Sequence, residues 1–216
     1  MKNHRNEHTR ERILDEAEAL FALKGYHAVS VREITGAAQC NLAAVNYHFG
    51  NKQKLYLEVY RQRWLPRAER VHQSFQNSLK SEQAPSAGTV VQSLARAFLE
   101  GPLSDEERNR HLRLVVGELS QPTEAFDQVI ERVFRPLLGS LISDLRAAMP
   151  ADMDQEQAVL NAFSIMAMVL YFNLARPVIK AVLGATDGND LQTRLIDHLV
   201  EFSLNGIAGG KWETGK

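Results

Sequence analysis

Apolar residues recur at three- and four-residue spacing along almost the whole chain, and strand-like alternation is nearly absent. That period belongs to amphipathic α-helices and argues against a fold built on a sheet. In the first segment Ile13, Leu14, Ala17, Leu20 and Phe21 share one helical face, with Thr9 as N-cap and Gly25 as the stop, which leaves residues 1–8 as a flexible arm. Ser30 and Glu33 form a capping box, and Val29 and Ile34 a hydrophobic staple, so a second helix begins at Val31. Asn41 caps a short third helix, Leu42 to Phe49, which Gly50 ends. Asn51 caps a long fourth helix reaching about Lys80, with a break or kink expected at Pro66, because proline cannot donate the helical hydrogen bond. After the polar stretch Ser81 to Gly88, the best linker candidate, helices are expected at about 89–100, 105–120, 124–149, 155–175 and 190–205. Their punctuation is Gly101-Pro102, a capping box from Ser104 to Glu107, Gln121-Pro122, Met149-Pro150, Asp154 to Gln157 and Asn205-Gly206. The expectation is an all-α chain of about nine helices: a three-helix head over residues 1–57, joined by a long helix to a helical body over 58–216.

Composition narrows the functional classes. With 44% hydrophobic and 24% charged side chains in 216 residues, the chain can bury a sizeable core. A single cysteine, Cys40, excludes an internal disulfide framework and a Cys-rich zinc site. The longest nearly unbroken apolar run, Ile165 to Phe172, is much shorter than the roughly 18 residues a bilayer crossing needs. The charged amino terminus has no apolar stretch behind it, so a cytoplasmic protein without membrane attachment is expected. Net charge is −1, but residues 1–64 carry ten Lys and Arg against seven Asp and Glu, and the remainder fifteen against nineteen. A mildly basic head on an acidic body fits a polyanion at the head and needs a motif to support it.

The candidate motif is a helix-turn-helix, which dimensions alone do not establish. The second and third helices are short and joined by a turn of about three residues, the dimensions of that unit. At roughly 100° per residue, Leu42, Val45 and Phe49 form a buried stripe on the third helix. Ala43, Ala44 and Tyr47 then face away from the core, with Asn46 and His48 on the flanks. Two alanines and a tyrosine suit a major groove: small side chains let the backbone approach bases and thymine methyls, and a tyrosine hydroxyl reaches phosphate. Ser30 and Val31 offer free N–H groups at the start of the second helix, Arg32 sits in its first turn, and Lys52 and Lys54 follow the third helix.

The run Val29-Ser30-Val31-Arg32-Glu33-Ile34, followed by Asn46-Tyr47-His48-Phe49-Gly50-Asn51-Lys52 and Leu55, resembles the DNA-binding domain of the TetR family of bacterial transcriptional regulators. The resemblance covers residues 9–57. It implies that Tyr47, His48 and Lys52 touch phosphates, that Ala43 and Ala44 face bases, and that Arg32 contributes from the second helix; Ser30, Val31, Asn41, Leu42 and Asn46 complete the candidate DNA surface. It also implies an effector-binding, dimer-forming helical body. Two departures stand out: Gln39 occupies a turn position where the family usually has glycine, and Asn46 replaces a common tyrosine. The Asn41 to Gly50 wording, with Arg135-Pro136 and Arg176-Pro177 downstream, is similar to the subgroup with a CecR-type C-terminal domain.

Other features carry competing readings. Cys40 is a small turn residue or a redox switch; His4 and His8 have i, i+4 metal spacing but no third ligand; the arm could reach a minor groove through Arg5 or Arg10. The segment Ala158 to Phe172, apolar nearly all round, is either a helix buried on several sides, with Met166 and Met168 filling gaps, or the wall of a dimer seam or ligand cavity. By resemblance, helices 155–175 and 190–205 form a four-helix homodimer interface, with Leu191, Leu195, Ile196, Leu199, Val200 and Phe202 as an apolar seam. Arg113, Glu118, Asn161, Ser164, Met168, Asn173 and Arg176 are the candidate effector contacts, and no cofactor beyond an unidentified small-molecule effector is expected. The leading expectation is a DNA-binding repressor released from a palindromic operator by that effector. The alternative is a DNA-binding adaptor regulated by a protein partner. No nucleophile elbow, phosphate loop or metal cluster supports an enzyme.

Overall fold

The computed structural model describes residues 2–149, 154–184 and 189–208, with the side chains of residues 2–5, 189, 207 and 208 outside that description. Among these residues there are helices and no strands. The order is α1 (Lys2–Lys24), α2 (Val31–Ala37), α3 (Leu42–Phe49), α4 (Lys52–Val59), a π-helical turn (Tyr60–Trp64), α5 (Leu65–Lys80), α6 (Ala87–Leu99), α7 (Asp105–Ser120), α8 (Phe126–Val129), a second π-helical turn (Ile130–Phe134), α9 (Arg135–Ala148), α10 (Gln155–Leu174), α11 (Arg176–Leu183) and α12 (Asn189–Ala208). The chain is all-α, as its periodicity predicts. α4 runs without interruption into α5, and α8 into α9, so the described residues form ten rods rather than nine.

The differences from the sequence expectation have local causes. α1 starts at Lys2, not Thr9: residues 2–8 contain neither Pro nor Gly, and the helix extends through the segment expected as an arm. α11 is a helix the sequence pattern does not announce, because Arg176-Pro177 looks like a break; a proline in the first helical turn loses no hydrogen bond and begins a helix as readily as it ends one. Pro66 does not break the long helix. A π turn ends two residues before it, where the Leu65 N–H bonds the Tyr60 carbonyl five residues back. The second π turn ends two residues before Pro136 in the same way. One extra residue in the turn gives the ring room where a standard helix would clash.

The helices gather into two compact units, residues 1–69 with 103–134 and residues 70–102 with 135–216. In the first, α1 is the hub. It packs against α2, α3, α4 and α7, burying Ile13, Leu14, Ala17 and Phe21. α7 is tied to the long helix by three aromatic side chains at i, i+4 and i+8. The Tyr56 hydroxyl donates to Glu118 Oε1 at 2.6 Å, the Tyr60 hydroxyl to the Leu114 carbonyl at 2.7 Å, and Trp64 Nε1 to the His111 carbonyl at 3.0 Å. Trp64 also stacks on the His111 ring at 4.6 Å between centroids.

A buried charge cluster reinforces this unit. Glu18 of α1 is 1% exposed and accepts from Arg67 of α5 and, at 3.2 Å, from Arg110 of α7. Arg67 also lies 3.5 Å from Glu107. Opposite charge from two arginines compensates the cost of removing this carboxylate from water, and Glu107 and Glu106 give the arginines second partners.

In the second unit α6 is central. It packs against α9, α10 and α12, and Val90, Val91, Leu94, Ala95 and Leu99 have no exposed surface. α10 has the length and hydropathy of a membrane-crossing helix, yet lays a single face, Ala158, Ala162, Ile165, Met166 and Val169, on its neighbours. It is therefore not buried on several sides. Leu160, Phe163, Tyr171 and Leu174 stand exposed along its opposite face. The expected α12 seam is corrected too: Leu191, Leu195, Ile196 and Leu199 are buried in this chain's own core, where α12 packs on α6 and α10, and of that group only Phe202 is largely exposed.

Two stability outcomes follow from this packing. Glu18→Ala should destabilise the protein by about 2–3 kcal/mol in denaturant unfolding, because it removes the buried carboxylate that Arg67 and Arg110 share and leaves them Glu107 and Glu106 as partners. Gln39→Gly should instead stabilise by about 0.5–1 kcal/mol. Gln39 has φ +48°, a left-handed conformation that costs an L-residue about that much.

Candidate nucleic-acid interface

The turn between α2 and α3 is built as a glycine would build it, despite the glutamine. The Cys40 N–H bonds the Thr35 carbonyl at 3.0 Å and the Gln39 N–H the Gly36 carbonyl at 3.2 Å, the paired bonds that close a helix through a left-handed residue. This turn sets the angle at which α3 leaves α2. The start of α2 carries the expected capping box: the Ser30 N–H donates to Glu33 at 2.7 Å and the Glu33 N–H to Ser30 Oγ at 3.2 Å, so the Ser30 N–H expected to be free for an anion is already taken. Lys24 and Ser30 hold the Glu33 carboxyl down at about 2. A depressed carboxyl stabilises the fold above its ordinary value of 4.5 and loses that contribution as pH falls toward 2.

α3 is short and depends on its ends. Asn41 accepts from the Ala44 N–H at 3.0 Å, and Gly50 closes the helix with φ +82°. Val45 and Phe49 are buried against the head. Leu42, expected in that stripe, is instead 50% exposed; it occupies the first turn, ahead of the point where α3 meets its neighbours. Ala43 and Asn46 are exposed, Ala44 and His48 half-buried, and Tyr47 is 75% exposed. The outward surface of α3 is therefore Leu42, Ala43, Asn46 and Tyr47: relative to the helical wheel it gains Leu42, brings Asn46 fully outward and leaves Ala44 half-buried at its edge. Ser30 and Arg32 are exposed and Val31 is half-buried at the start of α2.

Cations surround this surface. Lys54 is exposed beyond α3, and Lys52 is half-buried with its ammonium 4.3 Å from the centre of the Tyr26 ring. Burial lowers the Lys52 pKa and the Glu33 charge opposes that shift. Burial, followed by the Arg10 charge, lowers His48, which favours the neutral imidazole as a hydrogen-bond partner rather than a cation. Arg10 is not free to enter a minor groove: it donates to Glu58 at 2.6 Å and lies 5.3 Å from the centre of the Phe49 ring, bracing the end of α3 against α4. The side chains of His4 and Arg5 lie outside the described residues. His8, Arg12, Cys40 and Ala44 line an open groove of about 460 Å³ beside the start of α3. Burial raises the Cys40 thiol in spite of Arg12, which fits a turn residue more than a reactive thiolate. Among the described residues, no three His, Cys, Asp or Glu side chains cluster as metal ligands.

Of the seven candidate effector residues, two lie in the first unit and five in the second. Arg113 lines a cavity of about 80 Å³ with Phe21, Tyr26, Tyr56 and Gly117 in the first unit. Glu118 is fully buried and saturated by Tyr56, the Thr123 N–H at 3.0 Å and the Thr123 hydroxyl at 2.8 Å, so its carboxylate serves the protein's own structure. In the second unit, buried Asn173 donates to the Phe98 carbonyl at 3.2 Å, and Asn161 accepts from Gln157 at 3.0 Å. Ser164 is exposed; Met168 and Arg176 are half-buried. Sequence reasoning misses Tyr26, the Arg10–Glu58 brace and the Glu18 cluster. Only the i, i+4, i+8 spacing of Tyr56, Tyr60 and Trp64 signals any of this framework in advance.

Comparison with known proteins agrees with this geometry. The N-terminal domain of the bacterial regulatory proteins of the tetR family matches residues 13–59, and the C-terminal domain of the HTH-type transcriptional dual regulator CecR matches residues 89–207. The HTH-type transcriptional dual regulator CecR of Shigella flexneri is 25% identical over 215 residues, spanning 95% of this chain and 94% of its own length. The HTH-type transcriptional repressor AcnR of Corynebacterium efficiens is 35% identical over 66 residues, 31% of this chain and 35% of that protein. A TetR-like transcriptional regulator from Rhodococcus sp. RHA1 superposes with a TM-score of 0.67 at 16% identity, over 94% of this chain and 97% of that one. HlyIIR, a hemolysin II transcriptional regulator, does so at 0.60 and 20%, over 90% and 98%. The chain belongs to the TetR family of DNA-binding transcriptional regulators, with a C-terminal domain of the CecR type.

Proposed function

We propose that the protein is a ligand-responsive repressor that binds a palindromic operator as a homodimer and is released from it by a small-molecule effector. The observation that carries this reading is the outward face of α3. Leu42, Ala43, Asn46 and Tyr47 are held out by a helix capped at both ends, with Ser30, Arg32 and Lys54 also exposed around it. In this reading Ala43 and Ala44 lie against base edges, while Tyr47, His48, Lys52 and Arg32 engage the sugar-phosphate backbone.

The exposed face of α10 supports the homodimer. Leu160, Phe163, Ala167, Tyr171 and Leu174 recur at three- and four-residue spacing on a helix whose other side is fully committed to the core. A continuous apolar stripe of this kind is costly to leave in water and suits its own symmetry mate. α12 adds Phe202 rather than the leucines of its inner face. Repression is the simplest consequence of occupying an operator, and the name of AcnR makes that protein a repressor; the CecR relative is named a dual regulator, so activation at some promoters is compatible with the same contacts. Effector binding would act by favouring a spacing of the two recognition helices that no longer fits successive major grooves, roughly 34 Å apart. Such a regulator works where DNA is, in the cytoplasm.

Selection of bound duplexes from a random pool should recover an inverted repeat, and compounds can then be screened for release of that duplex. Tyr47→Ala should weaken binding about tenfold on every sequence tested. Ala43→Ser should instead change which bases are recovered at one position of each half-site; uniform weakening would contradict the base-facing role. Phe163→Glu combined with Tyr171→Glu should convert dimers to folded monomers in sedimentation velocity, with helical content by circular dichroism unchanged.

A further inference from the structure

Tyr26 belongs to neither α1 nor α2; it lies in the loop between them, and no base-reading or backbone-contacting role attaches to it in the reading above. Its surroundings are specific. The Lys52 ammonium sits 4.3 Å from the centre of its ring. The ring also lies against Tyr56, with centroids 4.7 Å apart and planes at 50°, and against Phe21 at 6.1 Å. Tyr56 is itself fixed by its hydrogen bond to the buried Glu118 of α7, a carboxylate that Thr123 also grips. A path of contacts therefore runs Lys52–Tyr26–Tyr56–Glu118, and all four residues belong to the first compact unit.

We propose that Tyr26 is the positioning residue for Lys52: its ring holds the ammonium in place for a DNA phosphate, and Tyr56, anchored to Glu118, holds the ring. The inference rests on the DNA-binding reading and extends it to a residue outside the helix-turn-helix contact set. Its physical basis is entropy. A free lysine side chain loses substantial rotamer freedom when it grips a phosphate, and an ammonium already seated on an aromatic face has lost most of it before DNA arrives; unseated, it holds the phosphate only part of the time and displaces correspondingly less counterion. The ring face attracts the cation without neutralising it, so the full charge remains to displace a counterion from the duplex. A carboxylate in the same place would compete with the phosphate. The phenol hydroxyl plays no part in this contact, so a phenylalanine should serve as well.

The test is the salt dependence of affinity for the duplex recovered by selection, measured between 50 and 200 mM salt. The slope of log affinity against log salt falls by about 0.9 for each phosphate that the protein no longer neutralises. Lys52→Met should lower its magnitude by about that much. Tyr26→Leu, which keeps an apolar side chain but removes the π face, should lower it by at least half as much, and Tyr26→Phe should keep the parental slope. The double variant Lys52→Met/Tyr26→Leu should be no shallower than Lys52→Met alone. Each protein is first checked for parental thermal unfolding, and Tyr26→Met takes the place of the leucine variant if the latter does not fold. A parental slope for Tyr26→Leu, an equal drop for Tyr26→Phe, or additive drops in the double variant would overturn the proposal, as would an unchanged slope for Lys52→Met. None of these touches the wider reading as long as the parent binds duplex; failure of the parent to recover any DNA would remove that reading instead.

Discussion

The row Tyr56, Tyr60 and Trp64 governs the first compact unit. Each side chain buries an aromatic ring and hands one polar atom to α7, to Glu118, Leu114 and His111 in turn. Burying a tyrosine or tryptophan in an apolar site is favourable only when that polar atom finds a partner, and three successive partners fix both the position and the register of α7 along the long helix. A slide by one turn would strand the Tyr56 hydroxyl, which bonds a side chain, and undo the Trp64–His111 stack, although the backbone carbonyls that Tyr60 and Trp64 use recur along α7. The π turn at Tyr60–Trp64 lies within this row, so the widening that accommodates Pro66 also sets the spacing of two of the three rings. The proline has thereby become part of how α7 is recognised, which explains how a residue that breaks most helices sits inside this one.

The Glu18 cluster acts on the same pair of helices from the α1 side. Buried ion pairs add little net stability compared with well-packed apolar groups, but they penalise any arrangement that separates them. Glu18 answers to Arg67 and Arg110 from two different helices, so α1, α5 and α7 satisfy it only together. The aromatic row and the charge cluster thus make the helix-turn-helix and α7 a single packed body. The helix-turn-helix consequently does not end at the last residue of its sequence motif. Whatever moves α7 must strain Glu118 or Glu18, and through them the helices that carry α3.

How much of this is legible in the sequence depends on the range of the interaction. Caps, boxes and helix ends are local, and Ser30–Glu33, Asn41, Asn51, Ser104–Glu107 and Asp154 all make the bonds their spacing predicts. α3 has the bounds expected of it for the same reason. Leu42 departs from its expected place because a helical wheel says which residues share a face, not how far along the helix the neighbours reach. The α12 leucines and the α10 stripe depart in complementary ways. An apolar face shows that something covers it, and only three dimensions show that α6 covers α12 while one side of α10 stays open. Arg10, Glu18, Arg67 and Arg110 are invisible as partners because charges 48 to 92 residues apart leave no pattern in the chain.

The exposed face of α3 raises a last physical question: how a helix of eight residues stays ordered while giving so little of itself to the core. In isolation a helix of this length is unstable in water. Here burial of Val45 and Phe49 supplies about 1.5–3 kcal/mol each, and the Asn41 cap about 1 kcal/mol. Arg10 adds a cation against Phe49 where α3 ends, and the turn through Gln39 fixes where α3 starts. None of these contributions comes from Leu42, Ala43, Asn46 or Tyr47. The residues that stabilise this helix are therefore different from those proposed to meet DNA, and the outward positions can change without loosening the helix that presents them. The same separation holds along α10, whose inner face packs on α6, α9 and α12 and whose outer face contributes nothing to that core. In both helices, the residues the monomer does not need are the ones its function would use.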